Sequence, residues 1–288
     1  LSNSKEKRKF MNSISSQKLN KFSAYLSEIV GSPATVEKYV YAVKVFGRFM
    51  DGRGSAVPTR EALADYKEFL ARTYKKSSAN SMMIPLNKFL AWHGQGHLRI
   101  KAFRLQRRTN LDHIMSREEY EKLLETAERL GMERCRLLMR LLASTGMRID
   151  EVRFVTVESL ANGVCHVSNK GKSRDVFIPE PFCEVLKSYC GRRGIESGVV
   201  FHGRNGDAML DKARIWREMN AVAQAASFAH GIVHAHSFRH FFAKEYMEIF
   251  HDLPDLADIL GHSSLETTRI YTRTTSQEKR IRLEKLGL

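Results

Sequence analysis

Apolar residues recur at helical spacing through most of the chain. Over 35–50, TVEKYVYAVKVFGRFM, the residues Val36, Tyr39, Val40, Val43, Phe46, Gly47 and Met50 fall on one side, and Ser32 or Thr35 is placed to cap the start. Residues 59–74 repeat the stripe through Leu63, Tyr66, Phe69 and Leu70, and 78–94 repeats it with Pro85 inside, where a kink is expected. With a further segment from Lys18 to Ile29, this predicts a small all-helical domain over residues 1–110. Periodicity then lapses over 95–115, as in an interdomain linker. Beyond it, Ser116 and Glu119 form a capping-box signature, two helices are predicted to run to about Ser144, and TGMRIDEV (145–152) begins a short one. Alternation replaces helical spacing only at 163–168 and 174–179, which read as two strands joined by the turn NKGK. Helices resume at about 180–190, 209–228, 236–250, 254–261, 265–271 and 275–286. The expected fold is mainly α, with a small β-hairpin in a second, α+β domain over residues 113–288.

Charge divides along the same line. Lys and Arg number 47 against 32 Asp and Glu, a formal +15, and residues 1–112 hold 21 of the basic but only 8 of the acidic side chains. A basic first domain points to a polyanionic partner, DNA or RNA before anionic lipid, because no Lys-rich helix carries a Trp/Phe face. The linker adds Arg99, Lys101, Arg104, Arg107 and Arg108 as candidate backbone contacts. No apolar run approaches the ~18 residues of a membrane span, and the charged start LSNSKEKRKF is followed by no apolar segment. A soluble intracellular protein is expected, without membrane association. The chain begins at Leu1, which leaves a preceding module open. Cys135, Cys165, Cys183 and Cys190 form no C-x-x-C pair, so buried thiols are expected in place of a zinc site or disulfide framework.

The candidate chemistry lies in the second domain. HAHSFRHFFAKEY places His236 and Arg239 three apart on one helical face. His234, His236 and His240 offer spacings that admit a metal reading, but no carboxylate or cysteine ligand stands near, and Phe241 and Phe242 continue the helix as an apolar segment. No metal is expected. TGMRIDE (145–151), the lysine of NKGK, HSFRH (236–240), LGH (260–262) and Tyr271 in TTRIYTR together resemble the tyrosine recombinases, the integrase family of phages, transposons and bacterial chromosome-resolving enzymes. The resemblance covers about residues 113–288, and the basic helical part is similar to that family's core-binding domain. It implies Arg148 and Arg239 as the catalytic arginines, Lys170 as the hairpin lysine, His236 and His262 as the two histidines, Tyr271 as the nucleophile and Glu151 as their support. Phe238 stands where leucine is commoner and Asn169 where glycine is usual.

Elementary chemistry agrees with that assignment. Breaking a phosphodiester without a metal needs fixed positive charge at the developing phosphorane, and planar guanidinium forks supply it. A phenol of ordinary pKa about 10 is a poor nucleophile and needs a proton acceptor, a role His236 could fill. No phosphate-binding G-x-x-x-x-G-K-[ST] loop is present, and no cofactor is expected, since a phosphotyrosine retains the bond energy for rejoining. Lys170 and Lys172 share one turn and compete for the hairpin role, with Lys170 favoured by the family's K-G-x-K turn. The resemblance further implies a two-domain clamp on duplex recombination sites and a homotetramer on DNA exchanging the C-terminal helix 275–286. It also implies a cytoplasmic, nucleoid-associated setting, with integration or excision of a mobile element favoured. A type IB topoisomerase and a non-enzymatic DNA-binding protein on the same scaffold stand as alternatives.

Overall fold

The computed structural model describes residues 14–30, 32–54, 57–105, 114–169, 172–203, 211–262, 264–272, 284–285 and 287. The chain divides into two compact units, Leu1–Arg108 and Thr109–Leu288.

Among the described residues, the helices of the first unit are α1 (Ser16–Val30), α2 (Pro33–Gly52), α3 (Arg60–Thr73) and α4 (Lys76–Trp92). Their apolar stripes meet in one core around Phe22, Phe46, Tyr66, Leu70, Met83 and Phe89. Thr59 caps α3 through its hydroxyl, α2 starts instead on Pro33, and α4 continues through the buried Pro85. The stretch expected to be an unstructured linker is partly docked. A 3-10 turn, Gly96–Leu98, follows α4, and Leu98 and Ile100 are buried. Asn87 donates to the Ile100 carbonyl at 2.9 Å and accepts from its amide at 2.8 Å, and Asn80 does the same for Phe103 at 3.0 and 2.8 Å. Two asparagines, two helical turns apart, thus replace a neighbouring strand for an extended backbone. This holds Arg99, Lys101 and Arg104 outward and exposed, whereas Arg107 and Arg108 lie outside the described residues.

The second unit begins with α5 (Arg117–Arg129), whose start carries the reciprocal Ser116–Glu119 box, and α6 (Glu133–Thr145). The short helix expected to begin in TGMRIDEV is a 3-10 helix, Ile149–Phe154, at whose start Glu151 accepts from the Arg148 amide at 2.7 Å. Strands β1 (Val164–Asn169) and β2 (Lys172–Phe177) form an antiparallel pair in which Asn169 faces Lys172. The predicted strands were therefore displaced, and the four-residue turn shrinks to residues 170–171, which lie outside the described residues. Then follow α7 (Glu180–Arg193), α8 (Lys212–Ala225), α9 (Ala235–Phe250), α10 (Leu253–Leu260), α11 (Leu265–Thr268) and a 3-10 helix, Arg269–Thr272. The helix expected over 265–271 thus tightens halfway, and that expected over 275–286 falls, apart from residues 284 and 285, outside the described residues. A single large core joins α5 to α9 and the hairpin, with all four cysteines buried as free thiols. No described helix is long and apolar enough to cross a membrane.

Gly146 ends α6 in the left-handed conformation, at φ +61°, and a Cβ there would lie 2.5 Å from Phe242 Cδ1 and 2.9 Å from Leu260 Cδ2. Gly131 has φ +65° with nothing within 4 Å. Gly131→Ala should therefore cost about 1 kcal/mol, the left-handed strain alone. Gly146→Ala should cost about 3 kcal/mol, since overpacking adds roughly 1–3 kcal/mol. Calorimetric unfolding of the two variants checks this, and equal losses would show that Phe242 yields freely.

Candidate active site

The end of α10 organises the site. Backbone carbonyls in the last turn of a helix have no intrahelical donor. Here three consecutive ones each receive a guanidinium. Arg174 Nη1 donates to the Ile259 carbonyl at 2.6 Å, Arg239 Nη2 to Leu260 at 2.6 Å, and Arg148 Nη2 to Gly261 at 3.1 Å. The arginines come from β2, α9 and the residue preceding the 3-10 helix, so three distant parts of the sequence converge there. Gly261 permits the turn at φ +62°.

Glu151 is only 1% exposed and lies between two of these cations. It accepts from the Arg148 amide and from Arg148 Nη1 at 2.9 Å, and from Arg174 Nη2 at 2.7 Å. Arg239 is equally buried, at 1% exposure, and adds a bond from Nη1 to the Gly146 carbonyl at 2.6 Å. Burial, then the neighbouring Arg148 charge, lowers its pKa to about 10. Arg148 is 39% exposed and is the arginine open to an incoming anion.

Arg239 Nη2 also lies 2.9 Å from His262 Nε2. Because a guanidinium only donates, Nε2 carries the lone pair and Nδ1 the proton, which points at Thr268 Oγ1 at 2.8 Å. The sequence-predicted His262 is thereby locked in one tautomer. Tyr271, on the 3-10 helix Arg269–Thr272, brings its hydroxyl 2.6 Å from His240 Nδ1. This differs from the expectation that His236 would face the tyrosine. His236 sits one helical turn back and packs edge-on against His240, ring centroids 4.4 Å apart. The i,i+4 relation of the two histidines was the available signal. His234 turns away to Ser237, its Nδ1 2.6 Å from that hydroxyl, and helps cap α9. His234 is held by Ser237 and His240 by Tyr271, and among the described residues no group of three suits a metal ion.

Lys170 lies outside the described residues, and for Lys172 only the backbone pairing with Asn169 is described. Arg174 and Thr268 were not anticipated as parts of the site.

Burial pushes Tyr271 up to about 12, with Arg239 pulling the other way. Burial followed by His236 lowers His240 to about 4, burial followed by Arg239 lowers His262 to about 4, and His236 is lowered by desolvation and Arg239. An unfolded histidine titrates near 6.5. Between that value and pH 4 the unfolded chain binds more protons, so stability is full above pH 6.5 and falls as pH drops toward 4. Thermal midpoints from pH 7 to 4.5 should decline less steeply in His240→Asn, which keeps a polar atom near the Nδ1 position. Parallel declines would show that His240 is not depressed.

The same arrangement accords with what the chain resembles. Residues 113–278 match the model of the phage integrase family, and residues 19–95 that of the phage integrase N-terminal SAM-like domain. The tyrosine recombinase XerA of Pyrococcus furiosus is 29% identical over 282 residues, covering 95% of each chain. In fold, the chain matches the XerH site-specific recombinase in its pre-cleavage complex with difH substrate, with TM-score 0.72 and 24% identity over 95% of this chain and 84% of that one. A lambda integrase tetramer bound to a Holliday junction gives TM-score 0.71 and 17% identity over 90% and 78%. With its catalytic-family match spanning more than half of its residues, and its N-terminal match preceding it, the chain belongs to the phage integrase family.

Proposed function

We propose that this chain is a site-specific DNA recombinase that cleaves and rejoins duplex recombination sites through a 3′-phosphotyrosine. The observation carrying the proposal is the convergence of Tyr271 with Arg239, Arg148, His262 and His240 around one helix end. In this reading Arg148 and Arg239 bind the non-bridging oxygens of the scissile phosphate, and His262, fixed by Thr268, lies beside them. The Tyr271 oxygen attacks phosphorus as its proton passes to His240 Nδ1, whose neutral state at physiological pH leaves the lone pair free. His236 packs behind His240 and assists at the phosphate. The P–O5′ bond breaks as Lys170 gives a proton to the departing oxygen. Reversal of both transfers reseals DNA without ATP.

The first unit supplies salt-dependent phosphate contacts through Arg99, Lys101, Arg104, Arg107 and Arg108, with Lys172 adding one from the hairpin. Exchange between two duplexes uses four such sites, hence a homotetramer on DNA. Its subunits are linked by exchange of the C-terminal helix, residues 275–286, whose Ile281, Leu283, Leu286 and Leu288 form an apolar edge. A cytoplasmic, nucleoid-associated setting follows from the substrate, with integration or excision of a mobile element as the reaction.

Tyr271→Phe should bind nicked suicide duplexes nearly as well as the parent and form no denaturant-resistant adduct. The parent should form it undiminished in EDTA. An adduct in Tyr271→Phe would remove the nucleophile assignment, and EDTA inhibition reversed by zinc would restore a metal role to the histidines.

The two hairpin lysines separate by leaving group. Lys170→Ala should slow cleavage roughly 10²- to 10⁴-fold, as for a lost proton transfer, and recover on a substrate whose bridging 5′ oxygen is sulfur, because a thiolate leaves unprotonated. Lys172→Ala should weaken binding with a shallower salt dependence and leave the saturated rate unchanged. Sulfur rescue of the Lys172 variant would exchange the roles.

A further inference from the structure

The hairpin brings a third guanidinium into the site, one that the reaction described above does not use. Arg174 lies four residues beyond Lys170, and its side chain is 15% exposed. It bridges the Ile259 carbonyl and Glu151 Oε2, which are contributed by different elements, while its Nε is buried with no partner among the described residues. Room for it is specific. A Cβ on residue 261 would lie 2.6 Å from Arg174 Cδ and 2.7 Å from Nε, so only glycine lets this side chain lie against the helix end. The glycine of LGH therefore answers two demands, the left-handed turn and the passage of Arg174.

Charge gives the bridge its consequence. Three guanidiniums against one carboxylate leave a formal +2, matching the roughly two negative charges of a phosphorane, where the resting phosphodiester has one. Without Arg174, Glu151 would face Arg148 alone. The carboxylate would then neutralise the arginine that is most open to DNA and draw its fork away from the phosphate. Arg174 thus shares Glu151 Oε2 with the Arg148 amide and leaves only Oε1 to the Arg148 guanidinium.

We propose that Arg174 is a positioning residue for DNA cleavage, holding Glu151 so that the Arg148 guanidinium stays available to the scissile phosphate. The proposal rests on the assignment of Arg148 and Tyr271 given above. It predicts a defect in charge stabilisation at phosphorus and none in leaving-group protonation.

The test is single-turnover cleavage at saturating DNA by the full chain, with Arg174→Ala and Arg174→Lys, on three suicide duplexes. One has the ordinary phosphodiester, one a methylphosphonate at the scissile position, which lacks a non-bridging negative charge, and one the 5′-bridging sulfur. Arg174→Ala should slow the phosphodiester roughly 10²- to 10³-fold, the scale of a lost oxyanion donor. It should slow the methylphosphonate less than tenfold and the bridging-sulfur substrate as much as the phosphodiester. Arg174→Lys keeps the charge but not the two-point bridge, and should fall between, with the same ranking of substrates. Should the alanine variant fail to fold, that ranking in the lysine variant carries the test. Equal slowing on all three substrates would make Arg174 a pin of the fold and overturn the proposal, and recovery on bridging sulfur would do so by moving its action to the leaving group. Tyr271→Phe serves as the control. An adduct in that variant would bring down the site assignment and this proposal with it, whereas a dead Tyr271→Phe beside an unimpaired Arg174→Ala would reject the positioning role alone.

Discussion

Holding several guanidiniums together without a metal requires acceptors that cannot leave, and the last turn of α10 provides them. Its carbonyls at 259, 260 and 261 carry the negative end of the helix and would otherwise be unsatisfied. Each takes one arginine. Glu151 then bridges two of the three, reducing the repulsion between neighbouring cations. The rest of the second unit can be understood as delivering side chains to that point. Gly146 ends α6 where Arg239 needs its carbonyl, the 3-10 turn presents Arg148 and Glu151 together, and β2 supplies Arg174.

The cost of this cluster appears in the groups around it. His240 and His262 are held neutral to about pH 4, first by burial and then by their cationic or imidazole neighbours. Tyr271 is held protonated up to about 12, with burial outweighing the pull of Arg239. An empty site is therefore a quiet one: its phenol keeps its proton and its imidazoles keep their lone pairs. In the reaction proposed above, an arriving phosphate supplies the negative charge that this field lacks and eases protonation of the histidines, so that His240 can take the phenol proton. The substrate itself completes the electrostatics on which its cleavage depends.

How much of this could be read from the sequence depends on whether a residue's partner is local. His236 and Arg239 are three apart, so spacing alone paired them, and Glu151, three from Arg148, came with the resemblance. LGH and Tyr271 were legible as parts of an ordered set, without any means of seeing that a helix end joins them. Arg174 was missed although a signal existed. On β2 it alternates with the buried Val176 and, just beyond the strand, Ile178, and opposite it in the register stands buried Val167. An arginine on the apolar face of a strand needs a buried acceptor, and Glu151 is one. His240 was weighed only for a metal reading that was then set aside, because its partner, Tyr271, is 31 residues away. Asn80 and Asn87 looked like polar positions on an amphipathic helix, since the backbone that they hold leaves no periodic trace.

The division of labour between the two predicted arginines follows from donor counting. A guanidinium has five N–H donors and no acceptor. Arg239 spends donors on Gly146, Leu260 and His262 and is sealed from solvent, so its position is over-determined. Among the described residues, Arg148 makes side-chain bonds only to Glu151 and Gly261, and it remains more than a third exposed. The buried arginine is thus the fixed reference around which His262 and the helix end are built, and the exposed one keeps free donors for an anion. An Arg→Lys change should be harsher at 239 than at 148, because one ammonium cannot replace a planar fork that meets three acceptors at the ends of two helices.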